Sequence, residues 1–153
     1  MPGLTALVLG DGPERGRLLE AIRAAGAEEF VAAPGFVSAG EVNAGMGSAT
    51  VNVLPSAREG YGMVVIEAAA LGTPTVTVAG ADNAAVELIT DGQNGFVADR
   101  IEDLPGAIVR VHEEGEALRE RTARWFADHA QALSASESAR TILARLERTV
   151  ARP

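Results

Sequence analysis

The stretch LTALVLGDGPERGRLLEAIRAAG, residues 4–26, decides the fold class. Residues 4–9 are a near-continuous apolar run, as expected of a parallel strand covered on both faces. The run stops at Gly10-Asp11-Gly12-Pro13, and a helix follows over about 14–25 with Leu18, Leu19 and Ile22 on one face. Pro13 suits the first helical position and Gly26 the C-terminal cap. Strand, glycine turn and helix in this order open a parallel α/β unit.

The same alternation continues outward. Strands are expected at about 30–33, 50–54, 75–78 and 96–98. Residues 39–48 carry Gly40, Gly45 and Gly47, so any helix there is expected to be weak. After Pro55-Ser56 comes a polar loop over 57–62, then an apolar helix over about 63–71 closed by Gly72. Asp82 or Asn83 can cap a short helix through Ile89, and Asp91-Gly-Gln-Asn-Gly95 turns the chain into its last strand. From Ile101 onward the pattern is helical: Asp103 and Pro105 start one helix, Gly115 breaks it, and Ser134 caps a last one to about Val150. No internal repeat or low-complexity linker interrupts the 153 residues. The length suits a single domain, with an α/β core over about 1–100 and C-terminal helices over about 101–153.

Composition narrows the chemistry. Hydrophobic residues make up 47% and charged residues 22%, as in a globular chain, while aromatics are only 4%, so the core is aliphatic. The net charge of −8 argues against a nucleic-acid partner. All 13 basic residues are Arg, and without Lys there is no P-loop lysine and no Schiff base. Without Cys there is no disulfide, thiolate nucleophile or Cys-based metal site. His112 and His129 stand 17 positions apart in an Arg/Glu-rich tail, form no metal spacing and read as surface positions. No apolar run reaches membrane-spanning length and no basic segment precedes the first apolar stretch, so the chain is expected to be soluble and cytoplasmic.

Glu67 is the informative acid. The helix positions three and four away from it are Met63, Val64, Ala70 and Leu71, so no cation of its own helix pairs with it. A helix this apolar is expected to be buried, and an unpaired buried carboxylate costs several kcal/mol. Either Glu67 lies on a solvent edge or meets an Arg from elsewhere, or it faces a pocket and accepts hydrogen bonds from ligand hydroxyls. Glu59, eight positions earlier, stands in a loop whose Gly60 and Gly62 allow close backbone approach. The first N–H groups of the following helix can hold phosphate without Lys. Two acids, a glycine loop and a helix N-terminus together point to a sugar phosphate or nucleotide sugar. Arg58 reads equally as a phosphate contact or a solvated loop cation. The segment 113–124 reads as a solvated helical face with pairs such as Glu120 with Arg124, and Trp125 and Phe126 as core packing.

The run PSAREGYGMVVIEAAALGTP, residues 55–74, resembles the signature of the retaining "group 1" glycosyltransferases of GT-B architecture, the E-x7-E enzymes. Gly10-Asp-Gly-Pro13 is similar to that family's glycine-proline turn, Pro34-Gly35-Phe36-Val37 to its base-contacting turn, and Asp91-Gly-Gln-Asn-Gly-Phe96 to its "DG.NGF" turn. The matches keep the family's order from about Leu4 to the C-terminus. The resemblance implies a Rossmann-like parallel sheet flanked by helices, the C-terminal, nucleotide-sugar-binding half of such an enzyme. It implies Glu59 on the transferred sugar as the catalytic position and Glu67 on the ribose hydroxyls. The backbone of Gly60, Tyr61, Gly62, Met63 and Val64 would line the diphosphate and sugar. Phe36, Val37 and Ser38 would border the base, and Gly10 and Gly12 would permit close approach. The loop Gly80-Ala-Asp-Asn83 departs from the family's commoner Gly-Gly-hydrophobic pattern and is carried over only weakly.

The implied donor is a nucleotide diphosphate sugar such as UDP- or GDP-hexose, with no metal or other cofactor. The implied partner is an N-terminal acceptor domain, in cis or in trans, which is absent from this sequence. Also absent is the family's Arg/Lys diphosphate clamp with its strand and helix. Any peripheral membrane association is expected only through that other domain, and this chain alone is expected to be inactive and to bind its donor weakly. A function of a different class is a non-catalytic nucleotide-sugar binding or interaction module acting with a partner chain. A dinucleotide fingerprint at Gly10, Gly12 and Gly16 is off in spacing by one, and no acid ends a clear second strand. A receiver domain lacks its paired acid and its Lys.

Overall fold

A computed structural model describes residues 3–150, with side chains to residue 147. It is α/β, with parallel strand pairs and helical crossovers, and it divides into two compact units, residues 1–45 and 46–153.

In the first unit β1 (Ala6–Leu9), α1 (Arg15–Ala24) and β2 (Val31–Gly35) form a parallel pair with its crossover helix. α1 packs Ile22 inward and ends in a Schellman motif. Gly26, at φ +60°, donates its N–H to the Arg23 carbonyl, and Ala27 donates to Ile22. Pro13 does not take the first helical position, because Glu14 already has helical dihedrals as the N-cap and the helix begins at Arg15. β2 includes Pro34, beside an irregular register between Leu7 and Leu9; an edge strand tolerates the missing N–H there. β1 is not covered on both faces as its apolar run suggests. Among the described residues its sheet is two strands wide, and Leu7 remains 52% exposed.

α2 (Ala39–Ser48) is a full ten-residue helix despite its three glycines. Its start explains this. The Ser38 hydroxyl donates to Glu41 Oε2 at 2.7 Å, the Ser38 N–H donates to the same oxygen at 2.9 Å, and the Glu41 N–H returns a bond to Ser38 Oγ at 3.3 Å. This capping box satisfies the first turn and offsets part of the glycine cost.

In the second unit β3 (Asn52–Leu54), β5 (Thr75–Val78) and β7 (Gly95–Ala98) form a parallel sheet in the order β3-β5-β7. The loop over 57–62 is not entirely irregular: β4 (Arg58–Glu59) pairs in parallel with β6 (Asp82–Asn83). α3 (Met63–Ala70) follows β4, a short 3₁₀ turn (Ala84–Leu88) follows β6, and a second (Ile101–Asp103) follows β7. α4 (Leu104–His129) and α5 (Ala135–Val150) complete the unit, with Gly115 (φ 52°, ψ −133°) kinking α4.

The core of this unit joins Val76, Phe96 and Ala98 of the sheet to Leu104, Val111 and Leu118 of α4. A second cluster, Val65, Ala85 and Leu88, lies under α3. β5 alternates Val76 and Val78 with Thr75 and Thr77, and these threonines are buried because each hydroxyl is bonded. The Asn52 amide donates to Thr75 Oγ1 at 3.1 Å, and Thr77 donates to the Leu54 carbonyl at 2.9 Å. Residues 113–124 are more than a solvated face. Glu120 and Arg124 do pair at 3.7 Å, but Leu118 and Thr122 are buried, and Arg119 donates to the carbonyls of Ala49 (2.6 Å) and Gly47 (2.9 Å). Periodicity could not show that an Arg of this stripe has main-chain partners some seventy residues earlier. Trp125 is buried, with its indole N–H donated to Thr90 Oγ1 at 3.0 Å.

Candidate functional site

α3 carries the second acid and begins at Gly62. That residue is the N-cap, at φ 89° and ψ 44°, and no side chain caps the helix there. Val65 donates its N–H back to the Gly62 carbonyl at 2.9 Å, which leaves the Met63 and Val64 N–H groups of the first turn to solvent or to a ligand. Gly62 is also needed for space. A Cβ at this position would lie 2.6 Å from the Ala85 Cβ and 3.0 Å from its Cα, so the backbone rests directly on the 3₁₀ turn beneath it. Val65, Ala68 and Ala69 face the core, whereas Met63, Glu67 and Ala70 lie on the opposite, exposed face. The expectation that α3 is wholly buried is thus corrected. Of the two readings open for Glu67, the carboxylate lies on the solvent side of its helix, and its desolvation cost is not incurred in the free chain.

Glu59 is half-buried at the end of β4, paired in register with Asn83. Arg58 is exposed, with Nε 3.7 Å from Asp82 Oδ2, the position of a solvated loop cation. Gly60, Tyr61 and Gly62 link β4 to α3, and Tyr61 and Met63 are 46% and 56% exposed. Val64 is half-buried on the first turn of α3. The second unit therefore brings Glu59, the glycine turn, the α3 N-terminus and Glu67 into one continuous segment.

The first unit places its own candidates at the C-terminal end of its parallel pair. Gly10 donates its N–H to the Gly35 carbonyl at 3.0 Å, and Gly12 donates to the Asp11 carboxylate at 2.8 Å. Arg15 Nη2 donates to the Ala33 carbonyl at 3.0 Å, and its guanidinium passes so close to Gly35 (φ +94°) that a Cβ there would lie 3.2 Å from Nε. Phe36 is 85% exposed on the turn that follows, and Val37 is half-buried. Ser38 is committed to the α2 capping box. The two hydrogen bonds from Ser38 to Glu41 favour the ionised carboxylate and hold Glu41 below the usual glutamate range.

Sequence reasoning missed two residues. The Ser38-Ala-Gly-Glu41 spacing is a legible capping box, outweighed in the reading by the glycines that follow. Of the two caps the sequence allows, Asp82 or Asn83, it is Asn83 whose Oδ1 accepts the Ala85 N–H, at 3.1 Å. Its larger set of partners has no local signature. Among the described residues no group of three His, Cys, Asp or Glu side chains is arranged to hold a metal ion, and no helix is long and apolar enough to cross a membrane.

The family model described as "Glycosyl transferases group 1" matches residues 2–131. The chain belongs to the group 1 glycosyl transferases. Among similar members, the 2-deoxystreptamine N-acetyl-D-glucosaminyltransferase of Streptomyces fradiae is 41% identical over 73 residues, 48% of this chain and 17% of that protein. The alpha-D-kanosaminyltransferase of Streptomyces kanamyceticus is 34% identical over 119 residues, 76% of this chain and 30% of that protein. The chain thus spans less than a third of the length of these curated glycosyltransferases. Anabaena HepE, solved in complex with UDP-glucose, superposes on 97% of this chain with a TM-score of 0.81 at 24% identity, over 42% of its own length. The C-terminal domain of the Francisella tularensis group 1 protein LpcC superposes on 86% of this chain with a TM-score of 0.69 at 21% identity, over 70% of that chain. These likenesses bear out the Rossmann-like α/β fold, a parallel sheet flanked by helices.

Proposed function

We propose that this chain is the donor-binding half of a retaining glycosyltransferase, which takes a sugar from a nucleotide diphosphate sugar and passes it to an acceptor held by another domain, in cis or in trans. One observation carries the reading. In a chain of this family, a side-chain-free helix N-terminus is flanked by one acid just before it and another on the exposed face of its second turn. The N–H groups suit a diphosphate and the acids suit hydroxyls, so a ligand with both groups uses the whole segment.

In this reading Glu59 addresses the transferred sugar, Glu67 the ribose hydroxyls, and the backbone of Gly60 to Val64 the diphosphate and sugar. In the first unit Phe36, Val37 and Ser38 are the base-bordering candidates, and Gly10 and Gly12 admit close approach. Ser38 offers a base no spare donor, since its hydroxyl and its N–H are both engaged with Glu41, and it serves there by shaping the turn. The leaving-group charge falls to the α3 N-terminus and to arginines, so no metal is required. The setting is cytoplasmic, where nucleotide sugars are the donors. What supports the donor class is the family together with this geometry; HepE with UDP-glucose is the analogous case in another protein.

Calorimetric titration of the chain with UDP-glucose, GDP-mannose, UDP and GDP tests the reading. Weak binding of at least one pair is expected, unchanged by EDTA. Absence of heat with all four, on a sample shown to be folded, overturns it. Turnover by the chain alone would refute the need for a second domain.

A further inference from the structure

Asn83 is 2% exposed, and both ends of its carboxamide are hydrogen-bonded. The two N–H groups of its Nδ2 are shared among three acceptors, the Val78 carbonyl at 2.7 Å, the Ser56 carbonyl at 3.1 Å and Thr77 Oγ1 at 3.2 Å, while its Oδ1 accepts the Ala85 N–H. The Thr77 hydroxyl donates its own hydrogen to Leu54, so toward Asn83 it can only accept. This fixes which end of the amide is nitrogen. The four partners come from three segments: Ser56 of the turn before β4, Thr77 and Val78 at the end of β5, and Ala85 of the 3₁₀ turn. The main chain of Asn83 pairs with Glu59, and its N–H is donated to Gly80 at 3.1 Å. Ala85, held by the amide oxygen, is the surface on which Gly62 rests.

We propose that Asn83 is the positioning residue of the candidate site, a single buried carboxamide that holds the Glu59 strand and the α3 N-terminus in one frame. It reaches Glu59 through Ser56 and the β4–β6 pairing, and the helix N-terminus through Ala85 and Gly62. Asp has no donor for three acceptors, Ser is too short to span them, and Leu or Ala leaves them all unsatisfied in a dry site. The role in donor binding rests on the function proposed above, but the mechanical tie does not.

Amide hydrogen exchange on the ligand-free chain reads the tie directly. In Asn83→Ala, exchange over 56–65 is expected to accelerate about tenfold or more, the usual effect of opening buried hydrogen bonds, while 75–78 and 95–98 stay protected. Uniform acceleration, or none over 56–65, overturns the proposal. Asn83→Ser is read in the same way if the alanine variant does not fold. In the unsubstituted chain the Ala85 amide is expected to exchange as slowly as the β5 amides, and a loop-like rate there overturns the proposal without any variant. Calorimetry with UDP-glucose supplies the functional arm, with a loss of about tenfold in affinity expected for Asn83→Ala. Unchanged affinity alongside accelerated exchange overturns the positioning role. No binding by the unsubstituted chain defeats the functional reading alone and leaves the exchange result to decide the tie.

Discussion

Replacing Gly62 by alanine tests the seat of the α3 N-terminus most severely. Two costs add. An L-residue held at φ 89°, ψ 44° occupies the left-handed region, at about 1–2 kcal/mol. The new methyl also meets the Ala85 Cβ at 2.6 Å and its Cα at 3.0 Å, contacts that force a shift costing about 1–3 kcal/mol. The sum is about 2–5 kcal/mol, a large share of the roughly 5–15 kcal/mol that stabilises an ordinary domain. Urea denaturation should show the midpoint falling with the slope unchanged. Ala85→Gly removes the methyl that is struck but not the dihedral strain. The double variant should therefore recover about 1–2 kcal/mol relative to the sum of the two single effects. A Gly62→Ala chain within about 0.5 kcal/mol of the parent, the range of a neutral surface change, would refute the close seating of Gly62 on Ala85.

Three further outcomes follow from particular contacts. Arg119→Ala strands the Ala49 and Gly47 carbonyls, so it should cost about 1–3 kcal/mol, and a melting temperature within 1 °C of the parent, against about 2–4 °C per kcal/mol at this size, counts against the staple. Glu67→Ala, on an exposed face, should leave the melting temperature unchanged while weakening nucleotide-sugar binding tenfold or more; equal affinity removes Glu67 from the ligand. Because the folded state lowers the Glu41 pKa, its capping contribution is present above the ordinary glutamate value of about 4.3 and is lost as pH falls through the lowered one. The stability difference between the parent and Ser38→Ala, measured in urea at pH 7 and pH 3, should therefore shrink on acidification.

The candidate site was only partly legible. Glu59, the glycine turn and Glu67 are neighbours in sequence, and a strand-loop-helix segment keeps such neighbours together, so their grouping could be read directly. The exposure of Glu67 could not. Eight apolar residues around one acid suggest burial, but the sheet side of α3 is satisfied by Val65, Ala68 and Ala69 alone. Likewise β1 reads as a covered central strand, yet among the described residues its sheet is two strands wide.

By itself the sequence determined the α/β class, the order of the principal strands and helices, the exclusion of Lys and Cys chemistry, and the pair of acids flanking a glycine turn. All of these are set by composition or by residues close along the chain, where period, capping and turn chemistry act locally. Tertiary structure alone decided that Arg119 would hold two distant carbonyls, that Arg58–Glu59 would pair with Asp82–Asn83, and that one asparagine would tie the Ser56 turn to β5 and the 3₁₀ turn. The Arg119 bonds, the β4–β6 pairing and the Asn83–Ser56 bond form between residues far apart in sequence. Which carbonyl is left without a partner, and which side chain arrives to satisfy it, is settled only when the sheet and its helices pack.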